Sequence, residues 1–218
     1  MSATVSTPTQ RPLLRGFLHL GAFIAAIVGI VVMLLLAHNP RGYVGAAIFG
    51  ASLIVVYGTS ASYHRIPWGR RMTEVMRRLD HAMIFFLIAG TYTPFCLMVL
   101  DDAWGISLLS VTAGIASVGA LTRLVWLNSP RWLAVLLYLA TGWTALAAAT
   151  QILQQLDAAP LGLLLLGGIA YSVGGVAYAA KRPDPWPRVF GYHEVFHSFT
   201  IMGSASHFVA VAVFLLPK

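Results

Sequence analysis

The chain contains few charged residues and only one cysteine. Asp, Glu, Lys and Arg make up 10% of its 218 residues, whereas 58% are hydrophobic. A soluble domain has about 25% charged residues, so this chain lacks the polar side chains that a water-exposed surface requires. The single cysteine, Cys96, excludes an intramolecular disulfide and a Cys-x-x-Cys zinc site. The composition therefore indicates a polytopic integral membrane protein.

Long apolar runs are abundant instead. A run of about 20 apolar residues is long enough to cross a bilayer as a helix. Seven such runs lie at 17–37, 43–63, 80–100, 104–123, 132–152, 160–180 and 193–216. The sequence thus predicts an all-α bundle of seven transmembrane helices. Residues 17–218 would form this single membrane domain, preceded by a polar, disordered cytoplasmic tail at 1–16.

The basic residues predict the orientation of the bundle. With a cytoplasmic N-terminus, twelve of the fourteen Lys and Arg residues lie on the cytoplasmic side: Arg11, Arg15, Arg65, Arg70, Arg71, Arg77, Arg78, Arg123, Arg131, Lys181, Arg182 and Arg188. Asp101, Asp102 and Asp157 would lie outside with the C-terminus. This asymmetry follows the positive-inside rule and places the protein in the inner (plasma) membrane. Anionic lipid explains the formal charge of +7, so nucleic acid is not a predicted partner.

Three histidines and one aspartate lie at the ends of these spans. His64 ends the second span, Asp80 begins the third, and His193 and His197 begin the seventh, all on the predicted cytoplasmic side. Ionisable groups at membrane depth are costly and usually serve a metal, a proton path or a ligand. His193 and His197 are one helical turn apart and share a face. With His64 they form a reasonable zinc site whose fourth position stays open, as in catalytic zinc sites.

Asp80 and Ser60 are the candidate catalytic residues. Bound zinc lowers the pKa of its water to about 7, and Asp80 would hold or deprotonate that water. Ser60 lies four residues before His64, hence on the same helix face, where it would hydrogen-bond the water or a substrate carbonyl. Each also has a structural alternative: Asp80 as a helix N-cap and Ser60 as a small packing residue.

The segment from His193 to His197 also matches the protease signature H-E-x-x-H. A metzincin would need Gly and His at the positions that Thr200 and Gly203 occupy, so the protease interpretation is discounted. We expect Glu194 to be a bystander that extends towards the cytoplasm.

The remaining histidines are assigned supporting roles. His207 is expected to support the site or bridge two helices. His81 points about 100° away from Asp80 on a helix and is expected to face the membrane interface. His19 and His38 bracket the first span and are expected to be boundary residues.

Three blocks of the sequence together resemble the hemolysin III family. The blocks are SASYH at 60–64, LDH at 79–81 with AGTYTP at 89–94, and HEVFH at 193–197 with His207-Phe208. That family is grouped with adiponectin and progestin receptor-like membrane proteins and, more distantly, with alkaline ceramidases. The resemblance covers the whole chain. It implies a cytoplasmic-side zinc bound by His64, His193 and His197, with Asp80 contacting the zinc-bound water and Ser60 nearby.

Three functional hypotheses remain open on the sequence. The first is a zinc-dependent hydrolase of lipid amides or esters, as the resemblance to ceramidases implies. The second is a pore-forming cytolytic protein, as the family name implies, and the third is a lipid-homeostasis or signalling protein with a structural zinc. The open coordination position and Asp80 favour the hydrolase. Membrane lipid is the expected partner in each case, and in the first it includes the substrate.

Overall fold

A computed structural model describes residues 12–126 and 128–217, which are folded mainly into helices. The α-helices are α1 Phe17–Leu36, α2 Pro40–Arg65, α3 Arg70–Met98, α4 Asp102–Val125, α5 Arg131–Gly142, α6 Ala149–Gln155, α7 Ala158–Ala180 and α8 Tyr192–Val209. A 3₁₀ segment at Trp143–Ala148 joins α5 to α6, and a π-helical segment at Ala210–Leu215 continues α8. Over the described ranges the structure contains no β-strand, only an isolated bridge between Trp186 and Phe190.

Seven helical units in the described part of the chain are long and apolar enough to cross a membrane. The fifth unit combines α5, the 3₁₀ segment and α6, and the seventh combines α8 with its π-helical extension. The predicted all-α bundle with seven spans is therefore confirmed, while the side of the membrane that each terminus faces stays a prediction. Large apolar side chains such as Leu35 and Val118 point outward, as expected of helices that contact lipid.

The predicted N-terminal tail, residues 1–16, lies mostly outside the described residues. Its last five residues, 12–16, form a turn before α1. The backbone N–H groups of Leu13 and Leu14 donate to the carbonyl oxygens of Arg188 and Val189, over 3.0 and 3.1 Å. This part of the chain is therefore attached to the loop that precedes α8.

The third helix begins earlier than the apolar run predicts. It starts at Arg70, with Gly69 as N-cap, and continues to Met98. Arg, Met and Glu are good helix formers, so the polar stretch that precedes the apolar run extends the helix. Asp80 consequently lies about three turns inside the helix, and the alternative that it is a helix N-cap is wrong.

Small residues bring the central helices into close contact. A Cβ atom on Gly45 of α2 would lie 3.0 Å from the Cα of Pro94 in α3. A Cβ atom on Gly105 of α4 would lie 2.1 Å from the carbonyl oxygen of Cys96 in α3. Close backbone approach of this kind is how helices associate in membranes. It holds α2 and α4 tightly against the C-terminal part of α3.

The main apolar core occupies one end of the bundle. Met33 of α1, Phe49 of α2, and Val211 and Leu216 at the end of the seventh span are fully buried in it. These residues lie near the C-terminus of α1 and the N-terminus of α2. The opposite end, where α2 ends and α8 begins, contains most of the buried ionisable side chains: His19, Asp80, Arg123, Glu194 and His197.

The contact between α3 and α4 predicts a marked difference between two glycine substitutions. Gly105→Ala forces a methyl group against the Cys96 carbonyl, so we expect the free energy of unfolding to fall by about 1–3 kcal/mol. Gly114→Ala in the same helix meets no atom within 4 Å and should leave stability unchanged or slightly raised. Thermal unfolding in detergent measures both. Equal midpoints for the two variants would contradict the close contact.

Candidate metal centre

Three histidines converge where α2 ends and α8 begins. His64 lies in the last turn of α2, and His193 and His197 lie in the first turns of α8. The nearest ligand atoms of the three side chains all lie within 4.8 Å of one another, and Nε2 of His64 is 3.1 Å from Nε2 of His193. The predicted convergence of residues separated by more than a hundred positions is confirmed, and the group could hold a metal ion.

Asp80 and Ser60 lie beside this cluster. The Oδ2 atom of Asp80 is 4.0 Å from Nε2 of His64, and the Asp80 residue is buried. Ser60 is also buried, one turn before His64 in α2, and lines the same cavity as the histidines. The structure thus brings together all five predicted site residues. The separate catalytic roles of Asp80 and Ser60 stay predictions.

A fourth histidine belongs to the cluster, and the sequence analysis missed it. His19 of α1 is 3% exposed, and its ring stacks on that of His197 with 3.6 Å between centroids and 15° between planes. The expectation that His19 is a boundary residue is therefore wrong, whereas His38 is exposed as expected. The sequence feature that could have revealed this role is the presence of an ionisable side chain inside the first apolar run. Which neighbouring helix it would meet could not be deduced from the run itself.

Glu194 is an anchor for α8 and not the bystander that the sequence suggested. Its side chain is completely buried. One carboxylate oxygen accepts a hydrogen bond from Nε of Arg15, and the other accepts one from the backbone N–H of Gly191 over 2.9 Å. A carboxylate that caps its own helix in this way satisfies an otherwise unpaired N–H group. It also neutralises a largely buried arginine, so both of its oxygens are already in use.

The two remaining histidines contact neighbouring helices. Nε2 of His207 is 3.1 Å from the carbonyl oxygen of Leu164 in α7, which is the expected helix-bridging role. His81 does not face the membrane interface, and that prediction is wrong. Its Nδ1 atom lies 2.6 Å from Nη2 of Arg123 in α4, because α4 packs on the side of α3 that presents His81.

A long cavity begins at the histidine cluster. It has a volume of about 710 Å³ and is lined along α3 by side chains from Arg77 to Cys96. At 1.5 Å per residue, Asp80 and Cys96 are about 24 Å apart along the helix axis, which is most of the ~30 Å thickness of a bilayer core. The lining beyond the histidines is mostly apolar and includes Ile84, Leu87, Ile88, Phe95 and Val99. The candidate metal site therefore lies at one end of an apolar channel through most of the bundle.

The Arg15–Glu194 pair predicts the effect of removing its carboxylate. Glu194→Ala would leave Arg15 without its counterion and Gly191 without its acceptor, so we expect a loss of roughly 3 kcal/mol of unfolding free energy. Glu74→Ala is the matched control, because Glu74 is exposed in α3 and an exposed substitution usually changes stability by less than about 0.5 kcal/mol. Thermal unfolding in detergent would compare them. Similar midpoints would restore the bystander interpretation of Glu194.

Comparison with known proteins agrees with this architecture. The family model described as "Haemolysin-III related" matches residues 8–208. The chain is 32% identical over 188 residues to a hemolysin-3 homolog of Bacillus subtilis, covering 86% of this chain and 85% of that protein. It is 30% identical over 200 residues to hemolysin-3 of Bacillus cereus, covering 89% and 88%. A heptahelical transmembrane protein of rice, ADIPOR2, is 29% identical over 185 residues, covering 77% and 80%. The seven apolar helices and the bacterial relatives fit a multi-pass protein of the plasma membrane, and the chain belongs to the haemolysin-III-related family.

Proposed function

We propose that this protein is a zinc-dependent membrane hydrolase that cleaves a lipid amide or ester. The observation that carries the proposal is the position of three histidines and a carboxylate at one end of a long apolar cavity. The histidines supply metal ligands, Asp80 supplies a base, and the cavity supplies space for an acyl chain.

The spacing of the histidines fits zinc. With Zn–N distances of 2.0–2.1 Å, two ligands of a tetrahedral ion are about 3.4 Å apart, and His64 and His193 are separated by 3.1 Å between their Nε2 atoms. A direct hydrogen bond between two neutral imidazoles would give a similar distance. The third histidine favours the ion, because a ligand nitrogen of His197 also lies within 4.8 Å of those of His64 and His193. An ion can bind all three nitrogens, whereas a hydrogen bond joins only two.

The remaining residues supply the other requirements of hydrolysis. Zinc in such a site would polarise the scissile carbonyl and lower the pKa of a water molecule. Asp80 would accept the proton that the water loses as its oxygen bonds to the carbonyl carbon. The same carboxylic acid would then give the proton to the departing nitrogen or oxygen as the C–N or C–O bond breaks. Ser60 would donate a hydrogen bond to the carbonyl oxygen, and the apolar side chains along α3 would hold the acyl chain away from water.

Separate substitutions of the ligands and the base should have different effects. His193→Ala combined with His197→Ala should abolish both bound zinc and release of fatty acid from ceramide or phospholipid. Asp80→Asn should keep the zinc but lower turnover by about 10²–10⁴-fold, which is the usual contribution of a general base. Elemental analysis of the purified protein measures the metal, and mass spectrometry measures the fatty acid. His38→Ala, an exposed histidine, is the matched control.

Three outcomes would count against the proposal, and the last two also require a thermal unfolding curve and a liposome leakage assay. Turnover that survives the double histidine substitution would exclude a zinc-dependent hydrolase. Zinc that is bound without any turnover, and whose removal lowers thermal stability, would indicate a structural metal. Leakage from intact liposomes in the absence of turnover would favour the cytolytic function instead.

The stacking of His19 on His197 predicts an effect on metal affinity. His19→Ala removes the ring that fixes the plane of His197, so we expect zinc affinity to fall by roughly tenfold, as for other residues that support a metal ligand. His19→Phe preserves a flat ring without nitrogen atoms and should retain most of the affinity. Competition with a coloured zinc chelator measures both variants. Equal losses in the two would mean that His19 is itself a ligand, which would contradict a stacking role.

A further inference from the structure

A second polar cluster lines the same cavity at the end that contains the histidines. It consists of Arg77 of α3, Arg123 of α4 and Arg131 at the start of α5, which all contribute to the cavity wall. All three guanidinium groups interact electrostatically with His81, so they share one region of the cavity. His81 also interacts electrostatically with His193, and Tyr138 interacts with both Arg123 and Asp80, so this arginine cluster adjoins the candidate metal centre.

Arg123 is a buried cation whose side-chain partners are neutral. It is 4% exposed. Its Nη1 atom donates to Oγ of Ser129, its Nη2 atom lies 2.6 Å from Nδ1 of His81, and its buried Nε atom has no hydrogen-bond partner. Burying a charge is costly unless an opposite charge is paired with it. Arg123 thus has a donor and a positive charge available for an anion.

Within the described part of the chain, neither Arg77 nor Arg131 forms an ion pair with a carboxylate. Arg77 donates to the side-chain oxygen of Asn128 over 3.5 Å. Arg131 donates to the hydroxyl of Tyr192 over 3.4 Å. Both distances lie beyond the usual range for N–H···O bonds, so these contacts would be easily exchanged for a stronger acceptor.

We infer that Arg77, Arg123 and Arg131 form a binding site for a phosphate group at the mouth of the cavity. Guanidinium groups bind phosphate oxygens in a bidentate manner, and a phosphate supplies the charge that Arg123 lacks. The apolar cavity beside the arginines suits the chains of a phosphate-bearing lipid, and free phosphate presents the same group. If the proposed hydrolase function holds, the phosphate belongs to the headgroup of the lipid substrate, and only that identification rests on the proposed function.

General attraction to anionic lipid does not account for Arg123, although Arg131 is itself exposed and Arg77 is half-buried. Arg70 and Arg71 lie at the same end of α3, but both are exposed and neither lines the cavity. They are the basic residues that would meet headgroups at the membrane surface. Arg123, in contrast, is enclosed between helices and faces the cavity.

Binding of short-chain lipids to the full-length protein in neutral detergent tests the site. Isothermal titration would use dihexanoyl phosphatidic acid, inorganic phosphate, and dihexanoylglycerol as the probe without phosphate. Arg77→Gln combined with Arg131→Gln should weaken phosphatidic acid binding at least about tenfold, since two charge-assisted hydrogen bonds are removed. Arg70→Gln combined with Arg71→Gln is the control, because it removes the same number of positive charges. This variant should bind phosphatidic acid as the unmodified protein does. Arg123→Lys, which keeps the charge without the planar fork, should bind more weakly while remaining folded.

The outcomes separate the two sources of phosphate. Phosphatidic acid that binds tightly even in the presence of millimolar inorganic phosphate would support a lipid headgroup. Inorganic phosphate that binds as tightly as phosphatidic acid would support a free anion. Equal weakening by the control pair, or dihexanoylglycerol binding as tightly as phosphatidic acid, would overturn the site. Because binding is measured without turnover, binding in the absence of hydrolysis would reject only the proposed function. Hydrolysis unaffected by the arginine pair would reject only the identification of the bound phosphate with the headgroup of the substrate.

Discussion

Ionisable side chains at membrane depth have to find their partners inside the bundle, because lipid offers no hydrogen bonds. At the end of the bundle where α2 finishes and α8 begins, the segment before α1 and helices α2, α3, α4 and α8 all contribute to meeting this requirement. Glu194 pairs with Arg15, Arg123 contacts His81, and His64 contacts His193. The close backbone contacts at Gly45 and Gly105 lie at the other end of the bundle, where they hold α2 and α4 against α3. Polar pairing at one end and close backbone packing at the other therefore fix the same helices, and the candidate metal centre lies at the polar end.

Glu194 connects the start of the chain to this centre. By accepting a hydrogen bond from Gly191 it fixes where α8 begins, and the position of that first turn determines where His193 and His197 project. By pairing with Arg15 it also holds the segment before α1, whose His19 then stacks on His197. The first helix is thus part of the wall of the site, although no residue of it belongs to the three-histidine motif. The Arg15–Glu194 pair therefore helps to position the histidines of the candidate metal centre as well as the start of α8.

The sequence predicted the number of spans and the convergence of His64, Asp80, His193 and His197, because both follow from the lengths and ends of apolar runs. It did not predict the environments of His19, His81 and Glu194. In a soluble protein, apolar periodicity reveals which face of a helix is buried. In a membrane both lipid and protein interior are apolar, so the rotation of α1 or α3 about its axis leaves little trace in the sequence. The partners of a side chain such as His19 depend on that rotation. The ten residues by which α3 begins before its apolar run, six of them polar, were missed for a related reason, since hydropathy reveals the part of a helix that lies in the membrane and not the whole helix.

The unequal polarity of the cavity limits how an amphiphile would lie in it. Arginines and histidines occupy one end, and the wall along α3 beyond them is mostly apolar for the remaining depth of the bilayer. A lipid placed with its headgroup at the apolar end would bury charge without a partner, at a cost of several kcal/mol. The reverse orientation sets the headgroup against Arg123 and the acyl chain along Leu87 and Phe95. The bond that joins the two parts of an acylated lipid is its amide or ester, and in this orientation that bond would lie beside Asp80 and the three histidines. The same arrangement of charge that would bind a phosphate would therefore also select which bond reaches the metal.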